Sequence, residues 1–254
     1  MPELPDVTIY LERLQPRIVG RELIRIHLRS PFLLRTAMPP IASAEGRTVL
    51  GLRRLGKRIV IALDGELFLV LHLMIAGRLR WGSEGAKVPA RITLARFEFE
   101  SGTLALTEAG TRRRASLHLV RGEEALAAMD PGGIDVLSSS LEHFRERLTA
   151  ENHTLKRALT DPTLFSGIGN AYSDEILHRA KLSPLAMSRQ LGEDETARLF
   201  DAARSVLAGW IERLRAETGA GFPEKVTAFR EGMAVHGRHG KPCPVCGADR
   251  KSVV

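Results

Sequence analysis

Cysteine is nearly absent from this 254-residue chain: there are two, Cys243 and Cys246. A disulfide scaffold is thereby excluded. Their close spacing fits metal or redox chemistry in a reducing compartment better than a structural bridge. Long apolar runs are missing as well. The longest, Leu67 to Ala76, is interrupted by His72 and is too short to cross a bilayer. The N-terminus holds acids and proline where a secretory signal needs a basic segment followed by an apolar one. No internal repeat and no low-complexity tract stands out. Acidic residues are in deficit, 30 Asp+Glu against 37 Lys+Arg, for a formal net charge of +7. Such an excess favours a polyanion partner, nucleic acid before anionic membrane, although a solubilising surface charge gives the same count. These absences predict a cytoplasmic or nucleoid-associated protein with no membrane partner.

What is present divides near residue 130. Val7, Tyr10, Leu11 and Leu14 recur at helical spacing behind Asp6, which is placed to cap a short helix. β-type sequence follows. ELIRIHL (22–28) is rich in branched residues. Residues 58–73 are two apolar runs around Asp64-Gly65, and residues 91–106 repeat the device around Ser101-Gly102, so two hairpins are predicted. One helix with several hairpins predicts a β-sandwich or flattened barrel. MDPGGIDVL (129–137) reads as a linker, and helical patterns follow it. The clearest spans 193–217, with Leu199, Ala203, Val206, Trp210, Ile211 and Leu214 on one face.

Several short stretches carry candidate chemistry. The opening MPELPDV places Pro2 beside Glu3. If Met1 is trimmed, Pro2 offers a secondary amine, a nucleophile next to an acid/base; the alternative is a frayed, idle terminus. Residues 165–177, FSGIGNAYSDEIL, put Gly167, Gly169 and Asn170 at the start of a helix. Free N–H groups there suit a phosphate, and Asn170 is placed to cap; a plain glycine turn between helices is equally consistent. Nearby Lys156, Arg157, Arg179 and Lys181 favour a nucleic-acid backbone. Arg112, Arg113 and Arg114 fall in a loop, where they either grip phosphates or form a solvated charged surface. Lys57 precedes a predicted strand, and Met74 by default belongs to a strand core.

Taken together, PELPDV, the GKR lysine at 57, HLMIAGRL at 72–79, GIGNAYSDEIL with RAKLSP after it (167–184), and the tail PCPVCG resemble the formamidopyrimidine-DNA glycosylase / endonuclease VIII family of base-excision repair enzymes. The resemblance covers nearly the whole chain. It implies an α+β protein: an N-terminal catalytic β-sandwich with an N-terminal helix (1–128), a helix–two-turns–helix DNA-binding domain (129–224), and an incomplete zinc-finger tail (225–254). It implies a monomer that binds damaged double-stranded DNA in a cleft between the domains. It also implies a bifunctional glycosylase and abasic-site lyase. In that scheme the Pro2 amine attacks C1′ of a turned-out nucleotide, Glu3 moves protons at the sugar, and Lys57 assists at the phosphate and in elimination. Met74 and one of Arg112 or Arg113 fill the vacated space, and Asn170 holds the backbone.

The chain departs from the family pattern in three places. Where the family reads Asp-Pro-Arg-Arg-Phe-Gly, this sequence has Gly110-Thr-Arg-Arg-Arg-Ala115, so Arg114 replaces the aromatic wedge. Asp6 replaces a Glu. A complete finger holds one Zn2+ with four thiolates, whereas only Cys243 and Cys246 are present here. Three accounts of the tail fit: a truncated or frameshifted half finger, a degenerate finger that binds no metal, or a site completed by His236 and His239 as H-x2-H-x3-C-x2-C. Two other functions also stay open: a lyase acting on abasic sites alone, and a DNA-binding scaffold that has lost catalysis.

Overall fold

The computed structural model describes residues 1–82, 90–110, 112–223, 226–245 and 247. These fall into two compact units that follow packing rather than sequence order. The first comprises Met1–Pro2, Asp6–Asp130 and Leu214–Val226; the second comprises Glu3–Pro5, Pro131–Arg213 and Thr227–Val254.

In the first unit, helix α1 (Leu4–Ile18) presents Val7, Tyr10, Leu14 and Ile18 to the core, each fully buried. The helix begins earlier than the sequence predicts. Pro5 belongs to its first turn, where a missing N–H costs nothing. Asp6 is therefore inside the helix and buried, not its cap. Eight strands follow: β1 (Glu22–Leu28), β2 (Arg47–Leu55), β3 (Arg58–Leu63), β4 (Leu67–His72), β5 (Gly77–Gly82), β6 (Thr93–Phe99), β7 (Gly102–Glu108) and β8 (Ser116–Arg121). Their order is β5-β7-β6-β1-β2-β3-β4-β8.

The predicted hairpins are β3–β4 and β6–β7, both antiparallel. In the first, Gly65 takes φ 69°, as a tight turn requires. In the second, the turn is Glu100-Ser101, and Gly102 is already the partner of Phe99. A Cβ on Gly102 would lie 2.7 Å from the Gly82 carbonyl oxygen, so this strand start admits no side chain.

The β1–β2 junction is only two register pairs long, Glu22↔Thr48 and Leu23↔Arg47. It divides the sheet into two four-stranded halves that share one core. Ile26, Phe97, Leu104 and Leu106 from one half pack in the same cluster as Ile59, Ile61, Leu69 and Leu117 from the other. This is the sandwich that period-2 alternation implies. The reverse face of β3 and β4 carries a smaller cluster, Val60, Phe68 and Val70, covered by Leu126 of α2 (Glu123–Ala127).

The second unit is helical: α3 (Leu141–Thr149), α4 (Leu155–Thr160), α5 (Asn170–Ala180) and α6 (Glu193–Thr218) as far as Arg213. Ser140 and Thr154 cap α3 and α4 through their hydroxyls. Phe144 packs against Phe165 and Phe200 at ring separations of 4.8 and 5.2 Å, and Tyr172 meets Trp210 edge-on at 6.0 Å. Every residue named above on the apolar face of α6 is buried.

Candidate functional site

The N-terminal residues are fixed from the side of α5. The amide of Leu4 donates to the Gly167 carbonyl at 2.9 Å. The Glu3 carboxylate is buried and accepts three backbone N–H bonds, from Gly169 (2.7 Å), Ala171 (3.0 Å) and Tyr172 (3.2 Å). These are the otherwise unpaired donors of the first helical turn, and an anion there also meets the positive end of the helix dipole. The capping role that the sequence suggests for Asn170 thus falls to Glu3. Asn170 is instead the first residue of α5, exposed, behind the N-cap Gly169, which makes no side-chain cap. Gly167, at φ 84°, supplies the bend that turns these N–H groups toward Glu3.

Asp174 and Glu175, one turn further along α5, hold the C-terminal segment. Glu175 is buried and accepts from the amides of Ala234 (2.7 Å), Val235 (2.9 Å) and His236 (2.9 Å). Asp174 accepts from Lys156 Nζ and pairs with His236 Nδ1 at 2.8 Å, while Lys156 also donates to the Asn170 carbonyl at 2.8 Å. Burial alone would raise the Asp174 pKa, but the His236 and Lys156 hydrogen bonds outweigh it and hold the group below its ordinary value. Neither Asp174 nor Glu175 stands out from the sequence as a functional residue. The available signal was two adjacent acids in a helix whose other side chains are mostly apolar or small.

In the first unit, Pro2 is buried and its nitrogen is bonded to Met1. Lys57 is half-buried in the turn between β2 and β3, and its charge acts on His72 at the end of β4. After His72 the chain makes a tight turn. The Gly77 amide donates to the Leu73 carbonyl at 2.9 Å, and a Cβ on Gly77 would stand 2.2 Å from that oxygen. The turn lifts Met74, Ile75 and Ala76 off the strand, so Met74 is not a strand-core residue. It takes a left-handed φ of 51° and is half-buried, whereas Ile75 is 59% exposed. Of the two, Ile75 offers the free apolar surface, which its place in the sequence beside Met74 does not single out.

Arg112, Arg113 and Arg114 are exposed on the loop between β7 and β8. That loop is tied down by Glu108, a buried carboxylate that accepts from the amides of Arg114 (3.0 Å) and Ala115 (3.1 Å). Arg113 donates to the Arg91 carbonyl at 2.6 Å.

Residues 1–117 match the formamidopyrimidine-DNA glycosylase N-terminal domain, and residues 133–219 match the H2TH domain of the same enzymes. The chain belongs to the formamidopyrimidine-DNA glycosylase family. It is 34% identical to the formamidopyrimidine-DNA glycosylase of Heliobacterium modesticaldum, covering 98% of this chain and 93% of that protein. It is 35% identical to the same enzyme of Thermus thermophilus, covering 97% and 91%. The crystal structure of the Thermus thermophilus protein superimposes with a TM-score of 0.81 at 34% identity, over 100% of this chain and 94% of that one. The Lactococcus lactis glycosylase bound to DNA containing an abasic site gives 0.83 at 25% identity, over 99% and 94%.

For this member of the formamidopyrimidine-DNA glycosylase family, the metal question rests on few atoms. Cys243 is buried, with Sγ 3.6 Å from His178 Nε2. His236 is engaged by Asp174, and His239 is exposed. Cys246 lies outside the described residues. Among the described residues no three His, Cys, Asp or Glu side chains gather as a metal site. A structural zinc needs four ligands. Among the described residues, Cys243 with His178 beside it is what such a site could draw on.

Proposed function

We propose that this chain is a bifunctional DNA glycosylase and abasic-site lyase acting on damaged double-stranded DNA. The observation that carries the proposal is the anchoring of Glu3 by three helix-terminal N–H groups, which fixes the carboxylate adjoining the nucleophile. Removal of Met1 exposes the Pro2 secondary amine. An α-amino group has a pKa of about 7.7–8.0, so a useful neutral fraction survives near pH 7. The neutral nitrogen attacks C1′ of the turned-out nucleotide, and the N-glycosidic electron pair leaves with the base, which takes up a proton. Turning the nucleotide out costs roughly a few kcal/mol, and least at a damaged pair.

The C1′ adduct opens the sugar ring as the nitrogen forms an iminium ion, and the ring oxygen takes a proton. Glu3, beside the nitrogen, is the group assigned to move protons there. The iminium acidifies C2′–H. Loss of that proton expels the 3′ phosphate and breaks the strand. Water then adds to C1′ and frees the amine. Lys57 assists at the phosphate and in elimination. Arg112 or Arg113, with the apolar turn at 74–76, occupies the space the nucleotide leaves. Asn170, exposed at the start of α5, contacts the DNA backbone.

Borohydride trapping tests the scheme. The protein is incubated with duplexes holding an oxidised base or an abasic site, reduced, and resolved by mass. A covalent adduct with both is expected, and Pro2→Gly should suppress it. An adduct with the abasic duplex alone leaves a lyase only. Tight binding with no adduct leaves a DNA-binding scaffold.

A further inference from the structure

One face of the first unit has no part in this scheme. In the half-sheet β5-β7-β6-β1, Leu79, Leu106, Phe97 and Ile26 point into the core. The alternate residues of these strands therefore stand on the outer face. Cross-strand register sets them in two rows. Arg80 is opposite Ala105, Ala105 opposite Arg96, and Arg96 opposite His27. In the second row Gly82, Thr103, Glu98 and Arg25 follow in the same order. Arg29, one residue past β1, is exposed and is fixed by its amide to the Leu94 carbonyl at 2.8 Å. Where β1 meets β6, His27, Arg29, Arg96 and Glu98 line an open pocket of about 630 Å3.

Arg25, Arg29, Arg80 and Arg96 bring four positive charges to this face. Among the described residues, none of the four makes a side-chain hydrogen bond or an ion pair. The Nε atoms of Arg80 and Arg96 are buried without an acceptor. Within the two rows Glu98 is the one acid, and His27 Nε2 holds it at 3.0 Å. Like charges gathered in this way repel, and a buried donor without an acceptor carries a cost. Carboxylates, which accept two guanidinium N–H groups at once, remove both. We propose that this outer face docks an extended acidic segment of a partner protein.

Spacing and charge both suit such a segment. Neighbouring strands lie about 4.8 Å apart, so Arg80 and Arg96 are rooted about 10 Å apart with Ala105 between them. An extended segment crossing the strands sets same-side residues about 7 Å apart, within reach of two long, flexible arginines. Glu98 decides between polypeptide and nucleic acid. A DNA backbone carries a charge at every phosphate and must bring one near Glu98. A polypeptide can set a neutral or donor side chain there and keep its carboxylates for the arginines on either side.

The test uses the full chain and a short fluorescein-labelled peptide of alternating glutamate and serine, with the glutamine–serine peptide as control. Anisotropy is followed at low salt, where surface charges are least screened. The titration is run on the free protein and on protein saturated with a duplex carrying a tetrahydrofuran abasic analogue, which cannot be cleaved. Saturable binding of the glutamate peptide alone is expected in both. Arg25→Gln combined with Arg29→Gln, both exposed, should weaken it about fivefold. Arg96→Gln should weaken it too, and Glu98→Gln should tighten it. Arg204→Gln, which removes a positive charge from α6, should leave it nearly unchanged. No saturable binding, or an equal loss in Arg204→Gln and in the Arg25 and Arg29 variant, overturns the proposal. Binding of a labelled lesion-free duplex to the saturated protein, weakened by the same arginine changes while the peptide stays unbound, would assign the face to nucleic acid and overturn the protein assignment. Cleavage of an abasic duplex at the parent rate by the Arg25 and Arg29 variant shows that it is folded. Absence of cleavage by the parent protein bears on the glycosylase reading alone, because peptide binding is read without it.

Discussion

At the scale of single residues, the turn after β4 separates two side chains that the sequence places side by side. Met74 spends its backbone in the left-handed region, which costs an ordinary residue about 1–2 kcal/mol. Its side chain is half-buried. Ile75 keeps an ordinary backbone and exposes most of its surface at the tip. An apolar side chain that enters a base stack must be free to leave the protein surface. We therefore expect Ile75→Ala to slow cleavage of a damaged duplex severalfold while changing cleavage of the same lesion in a single strand little. Met74→Gly should leave that ratio near the parent value. Single-turnover rates on both substrates check this, and the reverse order would return the wedge to Met74. Glu3 makes the complementary point. Its two oxygens are already occupied by backbone donors, so any catalytic work it does is done from a fixed position.

At the scale of elements, the periodic segments were the legible ones. The β3–β4 and β6–β7 hairpins announce themselves by alternation around a glycine turn, and α6 by its six-residue apolar face, because both signals are local. The capping of α5 was not legible. Its donors lie at 169–172 and its acceptor at residue 3, and nothing in the local pattern links positions 166 or more apart. Asn170 has the composition of a cap, yet Glu3 occupies the donors it would have used. The same holds for Glu175, whose partners are 59 to 61 residues away. This second carboxylate organises the segment from Ala234 to His236 as Glu3 organises the start of α5. Glu175→Ala leaves three amides without their acceptor. Hydrogen bonds to a charged group are each worth about 1.5–3 kcal/mol net. The expected result is local: faster hydrogen exchange at 234–236 and early proteolysis of the C-terminal segment, with protection of the α3–α4 amides retained. Global unfolding in that variant would show that Glu175 supports the whole second unit rather than one segment.

At the scale of the whole molecule, the basic excess has a consequence for stability against acid. The formal charge of +7 counts every histidine as neutral, so acidification adds repulsion to a chain that is already positive. Most of that charge sits where water screens it, but His72 and His118 do not. Both have pKa values lowered on folding, His72 to about 4, with burial the largest cause. In the unfolded chain they protonate near about 6.5. Between those values the unfolded state holds more protons, so stability falls as pH drops from about 6.5 toward about 4. For His72 alone the loss approaches about 3 kcal/mol at the lower limit. Carboxylates act later and with their own sign. Glu12 is lowered mainly by its hydrogen bond from Arg215, with the Arg215 and Arg13 charges adding to it against burial. For Asp174, the His236 and Lys156 bonds prevail over burial. The support these two give is complete above their unfolded values of 4.5 and 3.8 and is lost only as pH falls below them. Thermal unfolding followed from pH 7 to pH 5 should therefore show a steady loss of midpoint temperature. His72→Gln, which keeps a polar side chain but cannot ionise, should flatten that limb while leaving the steeper decline below pH 4 in place. A limb unchanged in His72→Gln would mean that the neutral imidazole is not what the fold protects from acid.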